Sequence, residues 1–149
     1  MEKLNLPPYP ANIKRQDGKI MILDSQRKKF VALTPEEWVR QHFVHYLTDH
    51  LSYPASLIAN EISLQCGDKR LRCDSVLFAS NGNARMIMEY KAPSVAITQK
   101  TFNQIADYNL LLHVDYLIVS NGISHYCCKM NYIDNSYTFL NKIPQYSEL

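Results

Sequence analysis

The sequence predicts an α/β fold in which helices flank a mixed β-sheet in the order α-β-β-β-α-β, with a small hairpin at each end of the chain. The first observation behind this prediction is a series of three strand-like runs joined by turn sequences. Gly67-Asp68 separates the first pair and Asn81-Gly82-Asn83 separates the second, which favours an antiparallel meander. The three runs cover residues 60–66, 71–79 and 84–90.

The second observation is a pair of helix signals on either side of this meander. Thr34-Pro35-Glu36-Glu37 combines an N-cap, a first-turn proline and a capping-box glutamate, so we expect a helix from there to about Leu51. Another helix should run from near Thr98 to about Leu112 and lead into a buried strand at 115–120. A helix in this position forms a crossover, and crossovers join parallel strands.

The sequence of the N-terminal region predicts an extended arm followed by a hairpin. Residues 1–18 contain three prolines and no clear periodicity, so we expect an extended arm there and a single domain over residues 19–149. The domain should begin with a hairpin of two short strands, at 19–23 and 30–33.

The sequence of the C-terminal region predicts two further hairpin turns. Asn121-Gly122 is a strong hairpin signal after the buried strand, and residues 123–129 should return from it. A last hairpin is expected from short strands at 132–134 and 137–140.

The composition is that of an ordinary globular domain. The chain has 149 residues, of which 46% are hydrophobic and 20% charged, and a formal net charge of +2. No apolar run approaches the roughly 20 residues that span a bilayer. The N-terminus lacks the apolar segment of a signal peptide, so we expect a cytoplasmic protein without membrane contact. Four cysteines without a C-x-x-C pair favour small buried hydrophobes over a disulfide framework or zinc site: Cys66, Cys73, Cys127 and Cys128.

Charged residues gather where two of the predicted strands meet. Glu89 and Lys91 end the run that begins at Arg85; they share one strand face, and Tyr90 lies on the other. Taken alone, they are also compatible with a simple ion pair at a strand end. Because the turn at 81–83 makes the preceding run antiparallel, Asp74 near the start of that run should lie beside Glu89.

Two carboxylates and a lysine suit a magnesium site. Mg²⁺ takes oxygen ligands, usually one or two carboxylates with waters and substrate phosphate. Asp74 and Glu89 would supply the carboxylates, the Tyr90 carbonyl a third ligand, and Mn²⁺ should substitute. Such an ion lowers the pKa of a bound water and stabilises charge on phosphate. Lys91 would hold or help deprotonate the attacking water, or neutralise the pentavalent intermediate.

Asp74 followed by Glu89-Tyr90-Lys91 resembles the D…(D/E)-x-K signature of the PD-(D/E)xK nuclease superfamily. Gln104 and Tyr108 match the Q-x-x-x-Y element of its RecB-like branch, and the predicted element order matches its restriction-endonuclease-like core. The stretch from Pro35 to about Tyr146 is similar to the N-terminal nuclease domain of type I restriction enzyme R subunits. Cys73 stands where the signature has proline, and the chain contains no G-x-x-x-x-G-K-[ST] motor motif.

The resemblance implies a Mg²⁺-dependent DNA endonuclease that hydrolyses phosphodiester bonds. The residues it implies for catalysis are Asp74, Glu89, Lys91, Gln104 and Tyr108. The residues it implies at the metal are Asp74, Glu89, Tyr90 and Glu37. Glu37 is also explained by the capping box, and Glu61 is a rival acidic residue. Gln104 and Tyr108 would contact DNA phosphate or order Lys91, or else form an exposed polar face.

The expected partners are DNA and a motor or specificity subunit of a restriction-modification system. Four cations should surround the site edge and suit phosphate binding, although a solvated basic surface is equally ordinary: Lys69, Arg70, Arg72 and Lys100. The alternative is a non-catalytic nucleic-acid-binding or assembly module that retains the nuclease fold. A small-molecule-binding α/β domain is disfavoured, because the sequence has no Gly-rich phosphate loop.

Overall fold

Two β-sheets and two α-helices form the fold. The computed structural model describes residues 1–149, apart from the side chain of Tyr108. The helices are α1 (Pro35–His50) and α2 (Gln99–Leu112). The strands are β1 (Ile13–Gln16), β2 (Lys19–Asp24), β3 (Lys29–Ala32), β4 (Ile58–Cys66), β5 (Lys69–Phe78), β6 (Ala84–Tyr90), β7 (Tyr116–Ser120), β8 (His125–Asn131) and β9 (Ser136–Phe139).

The larger sheet has six strands in the order β4-β5-β6-β7-β8-β9. Its neighbours are antiparallel, except that β6 and β7 run parallel with Met86 opposite Tyr116. Helix α2 makes the crossover between these two parallel strands. The predicted meander, crossover helix and mixed sheet are therefore confirmed.

Local sequence explains where both helices begin. The Thr34 hydroxyl accepts a hydrogen bond from the Glu37 backbone N–H at 3.1 Å, and the Thr98 hydroxyl accepts one from Thr101 N–H at 3.2 Å. These N-caps satisfy backbone donors that have no partner inside a helix. Helix α2 ends at His113 in the left-handed conformation, with φ 57°. Neither of the described helices is long and apolar enough to cross a membrane.

The two helices cover opposite faces of the six-stranded sheet. Helix α1 buries Phe43 and Leu47 in one core, which also contains Met88 and Cys127. The second core contains α2 residues such as Phe102 together with Cys128. The adjacent cysteines thus point to opposite faces, as expected of a strand, and all four cysteines are free thiols.

The N-terminal region is more structured than the expected arm and hairpin. Residues 13–16 form β1, which pairs with β2, and β3 completes a three-stranded antiparallel sheet. The physical reason is the Asp17-Gly18 turn, in which both residues have positive φ (52° and 76°), as the tight turns that connect strands require. Residues before β1 lie along the domain: Leu4 is buried, and Asn5 N–H donates to the Gly122 carbonyl at 2.8 Å.

The C-terminal hairpin is formed by β8 and β9, with Met130 opposite Tyr137. Residues 132–134, which we expected in a strand, instead lie in the turn between these two strands. The strand that returns from the Asn121-Gly122 turn continues to Asn131, and its apolar residues Cys127, Cys128 and Met130 are buried in the cores on the two faces of the sheet.

Candidate active site

Asp74 and Glu89 meet at the end of the β5–β6 ladder. Ser75 pairs with Met88, so the next residues outward along the two strands are Asp74 and Glu89. Asp74 Oδ2 accepts a hydrogen bond from the Tyr90 backbone N–H at 2.9 Å. Because the two residues lie opposite each other on neighbouring strands, their side chains share one face of the sheet. The structure therefore brings together the two carboxyl groups that the sequence placed at this edge.

This placement perturbs the protonation of Glu89. Burial of the carboxyl group, followed by the charge of Asp74, raises the pKa of Glu89 to about 9. The positive charge of Lys91 acts in the opposite direction. Two carboxylates in one partly buried place cannot both ionise easily, so Glu89 keeps its proton near neutral pH.

The donor set at this point fits a hard divalent cation. A protonated Glu89 beside Asp74 marks a place where a cation would stabilise the two carboxylates, and Mg²⁺ favours oxygen ligands of this kind. Tyr90 follows Glu89 directly, so its carbonyl belongs to the same strand end. Within the described side chains, no group of three His, Cys, Asp or Glu residues gathers into a metal-binding cluster. Mg²⁺ commonly binds through only one or two carboxylates, with waters and substrate oxygens in the remaining positions.

Asp74 also lines a cavity of about 120 Å³ beside the start of α1. The cavity is strongly acidic. Its other lining residues are Thr34, Glu36, Glu37, Arg40, Glu61 and Tyr90. A larger cavity of about 680 Å³ lies at the β8–β9 hairpin, but Lys129 is the one charged residue in its described lining. The acidic cavity is therefore the better candidate for chemistry on a phosphate.

Glu61 enters this cavity from β4 through a local distortion of the strand. Its neighbours Asn60 and Ile62 pair with Ser75 and Cys73, so Glu61 lies opposite Asp74. Its φ is 52°, a left-handed conformation that a residue within a strand rarely adopts. Irregular strand positions of this kind re-aim side chains and are common beside active sites.

Glu37 lines the same cavity, and its carboxylate is already engaged. Its Oε2 accepts a hydrogen bond from Arg40 Nε at 2.9 Å, and its Oε1 accepts from Gln41 Nε2 at 3.0 Å and from Arg40 Nη2. The residue also occupies the capping-box position after Thr34. Its role at a metal stays a prediction.

The predicted DNA-binding cations are all exposed, but they do not share one face. Arg70 and Arg72 alternate with Lys69 along β5, so Lys69 points to the opposite side of the strand. Arg72 Nη2 forms an ion pair with Glu61 Oε2 at 2.6 Å. Lys100 lies in the first turn of α2. Arg70 and Arg72 are therefore the two cations on a common face.

The two predicted residues on α2 differ in what the structure describes. Gln104 is exposed, as an off-core position should be. The side chain of Tyr108 lies outside the described part of the structure, so its predicted role is not addressed.

A buried ionic cluster behind the cavity was missed by reasoning from the sequence. Asp24 and Arg40 are each 2% exposed. Although burial opposes ionisation, the hydrogen bond from Arg27 and the charge of Arg40 hold the pKa of Asp24 below its usual range. Burial also opposes the charge of Arg40, but Glu37 and Asp24 raise its pKa. The spacing of Glu37 and Arg40, three apart on one helix, was the available signal; nothing in the sequence indicated Asp24.

The mixed α/β fold with acidic groups at adjoining strand ends is that of a restriction-enzyme-related domain. A family model described as the type I restriction enzyme R protein N terminus (HSDR_N) matches residues 35–144. The chain belongs to this family. The predicted relationship to R subunits is therefore confirmed, and residues 1–34 precede the matched region.

A solved structure supports the same fold. It is the fragment structure of a putative HsdR subunit of a type I restriction enzyme from Vibrio vulnificus YJ016, with a TM-score of 0.54 and 18% identity over 78% of this chain and 24% of that chain. The DrdV-DNA complex solved by cryoEM is less similar, with a TM-score of 0.45 and 18% identity over 73% of this chain and 11% of that chain. This chain thus spans about a quarter or less of the length of these proteins. No curated protein matches it.

Proposed function

We propose that this domain is a Mg²⁺-dependent DNA endonuclease of the PD-(D/E)xK type. The observation that carries the proposal is the strand register that places Asp74 opposite Glu89 at the end of the β5–β6 ladder. Burial, followed by the charge of Asp74, raises the pKa of Glu89 to about 9. A purely structural ion-pair cluster would match each acid with a cation, whereas this pair brings two acids together beside one lysine. Such an arrangement suits a cation that arrives with the substrate.

Asp74 and Glu89 would hold the ion, with the Tyr90 carbonyl as a third oxygen. When bound, Mg²⁺ would supply Lewis-acid activation of water and stabilisation of negative charge on the scissile phosphate. The Tyr90 N–H holds Asp74 Oδ2 in place through the 2.9 Å hydrogen bond, so the first carboxylate is oriented before any ligand binds. Tyr90 is itself fixed, since its hydroxyl donates to Ser75 Oγ at 3.0 Å.

Lys91 is the catalytic cation in this proposal. It lies close enough to Glu89 to oppose the rise in that residue's pKa, and its backbone N–H donates to the Ser120 carbonyl at 2.8 Å. That bond fixes the backbone at the point where β6 ends beside β7. The Lys91 ammonium can then orient the attacking water or neutralise the negative charge that develops on phosphorus.

DNA is the substrate that the surrounding surface favours. Arg70 and Arg72 project from one face of β5 near Asp74, and their exposure leaves them free to meet phosphate groups. The Arg72–Glu61 ion pair is exposed on the Arg72 side, so phosphate can replace Glu61 at small cost. Within the restriction-modification context of the family, a motor or specificity subunit would deliver the DNA.

A cleavage assay tests the proposal. The wild-type domain and Lys91→Ala are incubated with Mg²⁺ and linear, supercoiled and single-stranded DNA, and Mn²⁺ binding is measured calorimetrically in parallel. We expect Lys91→Ala to abolish cleavage and retain Mn²⁺ binding, because Lys91 is not a ligand. Equal trace nicking by both proteins on every substrate would instead identify a contaminant and favour a non-catalytic DNA-binding module.

A further inference from the structure

A charge-balanced cluster forms the wall of the acidic cavity. The Arg40 guanidinium lies between two carboxylates: Nε donates to Glu37 Oε2 at 2.9 Å, and Nη2 donates to Asp24 Oδ2 at 2.8 Å and to Glu37 Oε1. Arg27 Nε also donates to Asp24 Oδ2, at 2.5 Å. Arg27 Nη2 also lies 3.7 Å from Glu37 Oε1. Two cations and two anions therefore offset each other, and Arg40 has two anionic partners where one would neutralise it.

The two partners of Arg40 come from different parts of the chain. Glu37 lies on α1 within the region that the family model matches, whereas Asp24 ends β2 within residues 1–34, which precede it. The N-terminal sheet that carries Asp24 is tied to the larger sheet by Gln26, which accepts from Asn60 Nδ2 and donates to the Ala55 carbonyl at 3.2 Å. The N-terminal sheet thus supports the cavity from behind, because Asp24 holds Arg40, which lines the cavity.

This double pairing has a consequence for Glu37. A buried guanidinium that loses its only carboxylate partner is left as an uncompensated charge, which is strongly unfavourable. With Asp24 in place, Glu37 can turn away from Arg40 while Arg40 remains paired. Glu37 already lines the cavity with Asp74, so both residues border the space in which a ligand would lie.

We propose that Asp24 and Arg40 are positioning residues for Glu37. Asp24 keeps Arg40 paired, and this frees the Glu37 carboxylate to turn into the cavity toward a divalent cation held by Asp74 and Glu89. The inference rests on the proposed function, because it requires a cation at those carboxylates. It makes the N-terminal sheet part of the metal-binding unit.

Calorimetric titration of the full chain with Mn²⁺, without DNA, tests this role. Asp24→Asn keeps the shape of the side chain but removes the charge, so that Glu37 becomes the remaining carboxylate partner of Arg40. We expect about tenfold weaker Mn²⁺ binding, the size of effect that one charge-assisted hydrogen bond supports. Asp17→Asn is the matched control, since Asp17 is an exposed aspartate in the β1–β2 turn of the same sheet, and it should bind Mn²⁺ as the wild type does.

A double variant separates positioning from simple structural support. Asp24→Asn combined with Arg40→Gln removes both buried charges and leaves Glu37 with Gln41 and with the more exposed Arg27, whose Nη2 lies 3.7 Å from Glu37 Oε1. This weaker hold should return Mn²⁺ affinity to within about threefold of wild type. If Asp24 serves packing alone, the double variant binds no better than Asp24→Asn, and the inference is overturned. Melting temperatures recorded on the same samples show which variants are folded.

Glu37→Gln completes the test and keeps it decisive if Asp24→Asn fails to fold. Weaker Mn²⁺ binding by Glu37→Gln, together with near-normal binding by the double variant, supports the inference. Unchanged binding by Glu37→Gln overturns it, because Glu37 then never reaches the ion. If the wild type and Asp24→Asn bind Mn²⁺ equally well, only this inference is refuted. If the wild type binds no Mn²⁺, the proposed function is refuted as well.

Discussion

Replacing Asp74 by asparagine should stabilise the metal-free domain, even though it removes a candidate metal ligand. The amide oxygen of the new side chain can still accept the hydrogen bond that Tyr90 N–H donates to Asp74 at 2.9 Å. The substitution removes the negative charge that raises the pKa of Glu89. The folded state then tolerates an ionised Glu89 more easily, and the free energy of unfolding at neutral and higher pH increases.

The size of this effect follows from proton linkage. The pKa of Glu89 is raised from 4.5 to about 9 in the folded state, so its contribution to stability is fully present below pH 4.5 and is lost as the pH rises through 9. Each pH unit within that window changes the free energy of unfolding by about 1.4 kcal/mol, so the wild type should lose about 3 kcal/mol between about pH 6 and pH 8. Because burial, the largest cause, remains in the variant, we expect Asp74→Asn to be more stable than wild type by about 1–2 kcal/mol at about pH 8.

Urea denaturation in EDTA across this pH range measures the effect. The advantage of Asp74→Asn should shrink toward about pH 5, where Glu89 is protonated in both proteins. Asp68→Asn is the control, because Asp68 is an exposed aspartate in the β4–β5 turn and should leave the pH dependence unchanged. A wild-type stability that is flat over this range, or an Asp74→Asn variant less stable at every pH, would show that the two carboxyl groups are not coupled.

Four further outcomes are expected. Ca²⁺ should support DNA binding without cleavage, since a larger ion activates water poorly. If all four predicted cations contact phosphates, gel-shift titrations should give a slope of log affinity against log salt concentration of about −3 to −4. Arg70→Ala should reduce the magnitude of that slope by about 1. A salt-independent affinity would show that these residues do not contact DNA. Gln104→Ala should lower the cleavage rate less than Lys91→Ala does, and an equal loss would make Gln104 catalytic. Gly122→Ala should destabilise the domain by about 1–3 kcal/mol in urea titrations. The reason is that Gly122 has a φ of 85° and the new Cβ would lie 2.7 Å from Leu4 Cδ2. An unchanged urea midpoint would show that the segment around Leu4 does not pack against Gly122.

The sequence predicted the larger sheet well because its signals are local. Turn dipeptides, N-caps and the crossover position each fix one connection, and together they leave one simple strand order. The convergence of Asp74 and Glu89 followed from two strands and one turn of known length. In the N-terminal region the Asp17-Gly18 turn carried the same kind of signal, but we predicted an extended arm over residues 1–18, so β1 was missed.

The cavity wall could not be predicted in the same way. The Asp24–Arg40 contact joins residues sixteen apart through the packing of one sheet against a helix, and no periodic pattern encodes that packing. The left-handed conformation of Glu61 could not be predicted either, since nothing about a glutamate favours it. Tertiary packing thus determines which acids line the cavity beside Asp74.

Crystals of the domain soaked in Mn²⁺ provide the most direct test of the proposed metal site. Anomalous difference density locates the ion independently of the side-chain positions. We predict one peak within bonding distance of both the Asp74 and Glu89 carboxylates, with Lys91 beside it, and no peak in Asp74→Asn crystals treated identically. A peak elsewhere, or none at Asp74 and Glu89 under conditions where Mn²⁺ saturates exposed sites, would contradict the proposed site.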